Sequence, residues 1–303
     1  MAKKRRLRVR RVVDVPLREV SGVCLLRGRR GVMSLFAIGD RVAVAAWARL
    51  PRKDSARLDW RKTSIARLTG SRLPKHDPQI EAVCADGAGR VLLLQETPPR
   101  AELADIAASR VVASIALDVP GRDELARSWS DPDGSRGEGA VFLRGGHLLV
   151  AKEKRPSAFI EFGPRGARSR GFVRGVQLKD GARWPIAAGD HRYVALAVWW
   201  PDKTLAKACA DFSDLEVAAD GRLYLLSDKS GSIARLDDLA PGGGTASLTA
   251  CWRIRKIDGK AEGLAFTPSG RAIVALDTRK ARHNLLLLEP AIVGRKRFGR
   301  PLH

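Results

Sequence analysis

Long apolar runs are missing: nowhere does the chain hold the roughly 20 uninterrupted apolar residues that a helix needs to cross a bilayer, so no membrane span is expected. Cysteine is scarce. The four present, Cys24, Cys84, Cys209 and Cys251, are far apart and form no CxxC pair, which argues against a disulfide scaffold or thiolate zinc site and for reduced, buried thiols in a cytoplasmic protein. His76, His147, His191, His283 and His303 lack metal-ligand spacing. His147, in a Gly-Gly-His turn, is expected to be exposed. Walker A, GxGxxG, HExxH and GxSxG sequences are all absent, which removes P-loop, dinucleotide, zincin and serine-hydrolase chemistry. The basic N-terminus runs into Leu7-Arg8-Val9-Arg10-Arg11 rather than an apolar segment, so no cleaved secretion signal is expected.

Positive charge is abundant. Lysine and arginine number 55 against 33 acids, a formal net charge of +22. Residues 1–11 carry seven basic side chains and no acid, and Arg295, Lys296, Arg297 and Arg300 add four more. Such a field attracts anionic partners, nucleic acid through the basic termini among them. Aromatic residues make up only 6%, too few for an evident row of base-stacking platforms.

A repeated plan organises the rest. Ile80–Glu96, Gly137–Glu153, Leu215–Asp228 and Glu262–Asp277 each read as acid, apolar run, glycine turn, apolar run, acid. That is strand, turn, strand. The turn glycine precedes the closing acid by seven residues each time: 89 to 96, 146 to 153, 221 to 228 and 270 to 277. The opening glutamate precedes the glycine by eight residues in three copies and by five at Glu216, a difference assigned to a shorter hairpin loop. A degenerate copy runs from Ser21 to Gly39-Asp40, with serine in the glutamate's place.

Many short antiparallel strands in a repeating series point to an all-β fold, a single β-propeller of four-stranded blades; a β-sandwich is the alternative. Six blades are favoured over five, because the 78 residues from Glu138 to Glu216 leave room for a blade without the motif, around Tyr193–Trp199. The propeller is expected to span residues 12–293, with residues 294–303 as a basic tail and residues 1–11 as either a tail or the start of a closing strand. Leu7-Arg8-Val9-Arg10 alternates as a strand does, and Leu285–Glu289 reads as a buried strand at the other end.

Antiparallel pairing puts the start of a hairpin's first strand beside the end of its second. Glu81 should therefore approach Glu96, Glu138 approach Glu153, Glu216 approach Asp228, and Glu262 approach Asp277, all on one face. Like charges at short range raise one another's pKa or recruit cations. The opening glutamates, Glu81, Glu138, Glu216 and Glu262, are the candidates for function, and the closing acids are expected to hold blades together. Asp131-Pro132-Asp133-Gly134-Ser135 alternates oxygen donors but lacks the length of an EF-hand loop.

Ile80-Glu81-Ala82, Gly137-Glu138-Gly139-Ala140, Asp214-Leu215-Glu216 and Ala261-Glu262-Gly263-Leu264-Ala265-Phe266, each followed by a glycine turn and an apolar strand, resemble the phytase-like, or esterase-like, β-propellers. The likeness spans roughly residues 18–290, with the Glu-Gly-Leu-Ala-Phe block and Asp277-Thr278 its most specific part. It implies an acidic channel that can hold Ca²⁺, with Glu81, Glu138, Glu216, Glu262, Asp228 and Asp277 as metal ligands. In the phytase branch it implies a metal-dependent phosphoric ester hydrolase. Glu81, Glu138, Glu216 and Glu262 would then be catalytic, and Arg136, Lys152, Lys154, Lys229 and Arg279 would hold the phosphate. A monomer binding a ligand, metal or protein partner at the propeller face is the leading expectation; hydrolysis and polyanion binding are the alternatives.

Overall fold

The computed structural model describes residues 5–28, 31–50, 57–73, 76–131, 135–174, 184–255, 258–289 and 292–293. About half the chain is strand, 52% against 8% helix.

After β1 (Arg5–Val13), the strands form meanders of four. The first is β2 (Val20–Arg27), β3 (Met33–Gly39), β4 (Val44–Arg49) and β5 (Trp60–Ser64). The second is β6 (Ile80–Ala85), β7 (Arg90–Gln95), β8 (Arg100–Asp105) and β9 (Arg110–Asp118). The third is β10 (Gly137–Phe142), β11 (Leu148–Lys152), β12 (Ala158–Pro164) and β13 (Gly189–Pro201). In the fourth, β14 (Asp214–Val217), β15 (Leu223–Ser227) and β16 (Ser232–Leu236) are joined by β18 (Leu248–Ile254), while the short β17 (Gly244–Ala246) pairs with β13. The fifth is β19 (Lys260–Phe266), β20 (Ala272–Asp277) and β21 (Leu285–Glu289), completed by β1 from the other end of the chain. Short helices α1 (Ile65–Leu68), α2 (Glu124–Ser130) and α3 (Lys203–Ala208) sit between meanders.

The meanders form a circle. First strands touch in the order β2, β6, β10, β14, β19 and back to β2. Five apolar clusters fill the five gaps. Phe36 and Ile38 meet Val91 and Leu93 between the first and second meanders, Leu92 and Leu103 meet Phe142 and Phe162 between the second and third, and Phe159 and Trp199 meet Leu215 and Leu225 between the third and fourth. Tyr224 and Trp252 meet Phe266 and Val274 next, and Ile273 and Ala275 return to Leu35 and Ala37. Each sheet thus buries both faces, so the second strands read as nearly continuous apolar runs: every residue of β7 and β15 is buried. Each leucine or valine so buried contributes about 1.5–3 kcal/mol of transfer free energy.

A sixth meander around Tyr193–Trp199 is not found among the described residues: that segment is β13, the outermost strand of the third. The extra length is taken up by the connection from β12 to β13 and by α3.

The ends are fastened together. β1 pairs antiparallel with β21 and parallel with β18. Asn284, fully buried, accepts from the Val15 amide at 2.7 Å and donates to the Val15 and Leu17 carbonyls at 3.0 and 2.8 Å. No helix among the described residues is long and apolar enough to cross a membrane.

Candidate functional site

Four inner strands carry a bulge at the same place. The register skips between Val20 and Gly22 in β2, Ile80 and Ala82 in β6, Gly137 and Gly139 in β10, and Ala261 and Gly263 in β19. The residues passed over are Ser21, Glu81, Glu138 and Glu262. A bulged residue leaves the ladder and its side chain is re-aimed. Glu81, Glu138 and Glu262 are thereby brought together, with one carboxylate oxygen from each lying within 4.8 Å of the others.

Glu216 is not part of this cluster, which corrects the expectation of four equivalent glutamates. In every meander the residue after the bulge position pairs two residues before the closing acid: Gly22 with Ile38, Ala82 with Leu94, Gly139 with Ala151 and Gly263 with Ala275. The fourth meander's counterpart is Asp214, opposite Leu226. Its hairpin is therefore no shorter than the others, and Ser213 occupies the glutamate's position, its hydroxyl accepting from the Asp228 amide. Glu216 sits three residues further along the strand, near Asp214 and the thiols of Cys24 and Cys84, which burial pushes up and the two acids push further.

The three clustered carboxyls resist ionisation. Burial, then Glu138, Asp40, Glu96 and Glu262, hold Glu81 well above its usual range. Burial and Glu153, Glu262 and Glu96 do the same to Glu138, with Lys154 opposing. Glu262 is pushed up to about 7, chiefly by burial; Lys260 opposes, while Asp277, Asp228 and Asp40 add to the rise. Asp40 hydrogen-bonds the Glu81 side chain, an arrangement that needs a proton on one of the two.

The closing acids form a second set. The Glu96 carboxylate accepts from the Arg136 amide at 3.1 Å and that of Asp228 from the Ala261 amide at 2.8 Å, each reaching the first strand of the next meander. Glu153 accepts from Ser135 at 2.8 Å and from Lys154. Asp277 lies 3.9 Å from Lys260, which is 3.8 Å from Glu262.

The expected phosphate-holding residues divide. Lys152 is completely buried near the closing acids Glu153 and Glu96, donates to the Lys154 carbonyl at 2.5 Å, and is brought down to about 8 by burial. Arg136 is engaged elsewhere, since its guanidinium donates to the carbonyls of Trp129, Glu96 and Asp131 and to the Thr97 hydroxyl. Lys229 and Arg279 are exposed, and the Lys229 amide donates to Asp211. Residues 132–134 of the Asp131–Ser135 segment lie outside the described residues.

Two features escaped the sequence. Asp40 was visible only as the end of a degenerate copy, although an acid closes the second strand in all five meanders. His147, expected in the open, is 3% exposed, its Nδ1 being 2.6 Å from Glu161. Glu161 also accepts from Ser169 and from the Arg170 and Gly171 amides, which together hold it below its usual range despite burial. A buried carboxylate taking four partners anchors a loop; only an apolar-flanked glutamate in β12 could have hinted at it.

No family model and no curated protein matches the chain. Its fold is similar to that of the glutaminyl cyclase of Myxococcus xanthus, at 13% identity and a TM-score of 0.53 over 96% of this chain and all of that one. A putative gluconolactonase is 12% identical at a TM-score of 0.46, covering 94% of this chain and 82% of that one. A streptogramin B lyase is 10% identical at 0.46, covering 92% and 95%. The structural neighbours are β-propeller-like, and at such identities the likeness concerns the fold alone.

Proposed function

We propose that the chain is a five-bladed β-propeller, one domain from β1 to β21, whose acidic mouth binds a hard divalent cation, Ca²⁺ foremost, and with it an external ligand. The observation that carries this reading is the convergence of Glu81, Glu138 and Glu262 within 4.8 Å. Three carboxyls so placed and so raised are costly when ionised, and a cation offsets that cost. The donor set is all oxygen, as Ca²⁺ prefers, with no imidazole or thiolate to favour a softer metal. Asp228 and Asp277 add negative potential around it, as their effect on Glu262 indicates. Glu216, three residues along, belongs to a different layer and is withdrawn from the ligand set.

A ligand has somewhere to lie. A cleft of about 480 Å³ is walled by Pro156, Trp200, Pro201 and Phe212. Its lining holds no acidic side chain and reaches the third meander through main chain: the Ser157 hydroxyl and the Phe212 amide both donate to the Glu153 backbone carbonyl, at 2.5 and 3.3 Å.

Calorimetric titration of the full chain with Ca²⁺ tests the proposal. One cation per chain is expected for the native protein, and none for Glu138→Gln or Glu262→Gln. Absence of uptake by the native chain, or equal uptake by both variants, refutes it.

Phosphoric ester hydrolysis, the phytase-like reading, is kept as a second one because of Lys152, a buried ammonium brought down to about 8 beside the acids. A bound cation would supply phosphate neutralisation and an acidified water. Lys154, with its side chain 40% exposed, would meet a remaining phosphate oxygen, while the buried Lys152 would hold the Lys154 backbone in place. Calcium-dependent release of phosphate from a monoester, lost in Lys152→Met, is the expected result; no release in calcium leaves the binding reading alone.

A further inference from the structure

At the seam between the fourth and fifth meanders, two strands run parallel with arginines face to face. In the β1–β18 pairing Arg6 stands directly opposite Arg253, and Leu7 opposite Ile254. Leu7 and Ile254 are buried, whereas Arg6, Arg8, Arg253 and Arg255 are exposed. The Arg255 amide donates to the Leu7 carbonyl at 3.1 Å, carrying the pairing one step on, so Arg8 and Arg255 extend the row. None of the four makes an ion pair among the described residues, although Arg10, next along β1, is held by Glu289 at 2.8 Å.

Like charges directly opposite on neighbouring strands are destabilising. The fold contains its own contrast: at another parallel seam, between β9 and β13, Asp190 faces Ser114 and Arg192 faces Ala116. On β21 the acid Glu289 stands opposite Arg8 but is taken by Arg10 and Arg271, at 2.8 and 2.7 Å, so the Arg6–Arg253 repulsion is left for an anionic partner to relieve.

We infer that this row is a binding site for the phosphate backbone of a nucleic acid. Alternate residues of a strand stand about 6.6 Å apart and neighbouring strands about 4.8 Å, so the four guanidiniums make a short two-column ladder that can meet successive phosphates. Each guanidinium can engage a phosphate through two parallel N–H groups. No ring accompanies them: Trp252, adjacent to Arg253, is buried with the core, so bases have nothing to stack on and binding is independent of sequence. An anionic membrane is the poorer fit. Val12 is the one large apolar side chain that β1 exposes, where a membrane-seated element presents a continuous apolar face. The ladder is separate from the acidic mouth and does not depend on the cation proposed there.

The test uses the full chain and a fluorescently labelled oligonucleotide, single-stranded and as duplex, followed by anisotropy over a series of salt concentrations. Replacing Arg6, Arg8, Arg253 and Arg255 by Gln should weaken binding by about tenfold or more and flatten the slope of log K against log salt by about 3, the share of four phosphate contacts. A charge-matched control, Arg49→Gln, Arg61→Gln and Lys62→Gln on the first meander with Arg67→Gln in α1 beside it, should leave that slope in place. Circular dichroism confirms that both variants are folded. An unchanged slope in the ladder variant overturns the inference, as does an equal loss in the control. Capture by anionic phosphatidylserine vesicles under conditions where neither oligonucleotide binds also overturns it.

Discussion

Gly139 shows how closely inner strands approach. A Cβ there would stand 2.5 Å from the Leu215 amide nitrogen and 2.8 Å from the Asp214 Cα. Both obstacles are backbone, which cannot swing aside, so Gly139→Ala should lower stability by about 1–3 kcal/mol, measurable by urea unfolding. In the fourth meander the same position holds Asp214, which turns the tight approach to use: its carboxylate accepts from the Leu264 amide at 2.6 Å. Glu216 offers a pH test. Burial pushes it up to about 8 from an ordinary 4.5, so the folded chain keeps a proton that the unfolded chain has lost over that interval. Stability should fall as pH rises from about 4.5 to about 8 and level off above. Glu216→Gln should unfold at a denaturant concentration that drops less between pH 5 and 8.5 than the native protein's; an equal drop would remove Glu216 as a contributor.

The sequence shows its limits at the same residues. The seven-residue interval from turn glycine to closing acid was readable because four of the five hairpins share one length; the first, from Ser21 to Asp40, is longer and lacks the interval. The glutamates' equivalence was not, because a bulge changes which residue leaves the ladder without changing composition. Glu216 has the right neighbours in the sequence and the wrong register in the sheet.

Among elements, β1 is the one on which closure rests. It alone joins the two ends of the chain through strand pairing, and Leu7 is its completely buried anchor in the cluster with Trp252 and Leu288. Leu7→Ala should cost about 2–5 kcal/mol, read as an earlier unfolding midpoint, whereas Val12→Ala, at 45% exposure on the same strand, should change little. The alternation of Leu7-Arg8-Val9-Arg10 announced a strand, but its partners, from Ile254 to Glu289, lie far along the chain, beyond any local pattern. β13 was misjudged for the opposite reason: an apolar run of strand character was visible, and only its place as an outer strand of an existing meander was hidden.

For the whole molecule, charge is separated by location. Acids converge on the mouth while arginines line the seam at β1 and β18, so the net charge of +22 conceals a face of the opposite sign. Calcium should therefore act on the mouth alone. It should raise the melting temperature of the native chain in a concentration-dependent way, by mass action on the folded state. The triple variant Glu81→Gln, Glu138→Gln, Glu262→Gln should melt higher than the native chain in the absence of divalent ions, having lost the repulsion, and should not respond to calcium. A triple variant that still responds would place the cation elsewhere.

The clasp of Asn284 on Val15 and Leu17 sets an order of events during synthesis. Of the described strands β1 leaves the ribosome before the rest and is the last to find its place, because both its neighbours, β18 and β21, follow it at very long sequence separation. Four meanders can stack as they emerge, each on its predecessor, while a segment rich in arginine waits unpaired. Ring closure is thus a late step governed by contacts of very long sequence separation, the slowest kind to form. A nascent chain halted before residue 285 should therefore remain an open arc, and its free edge is where a chaperone or a second copy of the chain would engage it.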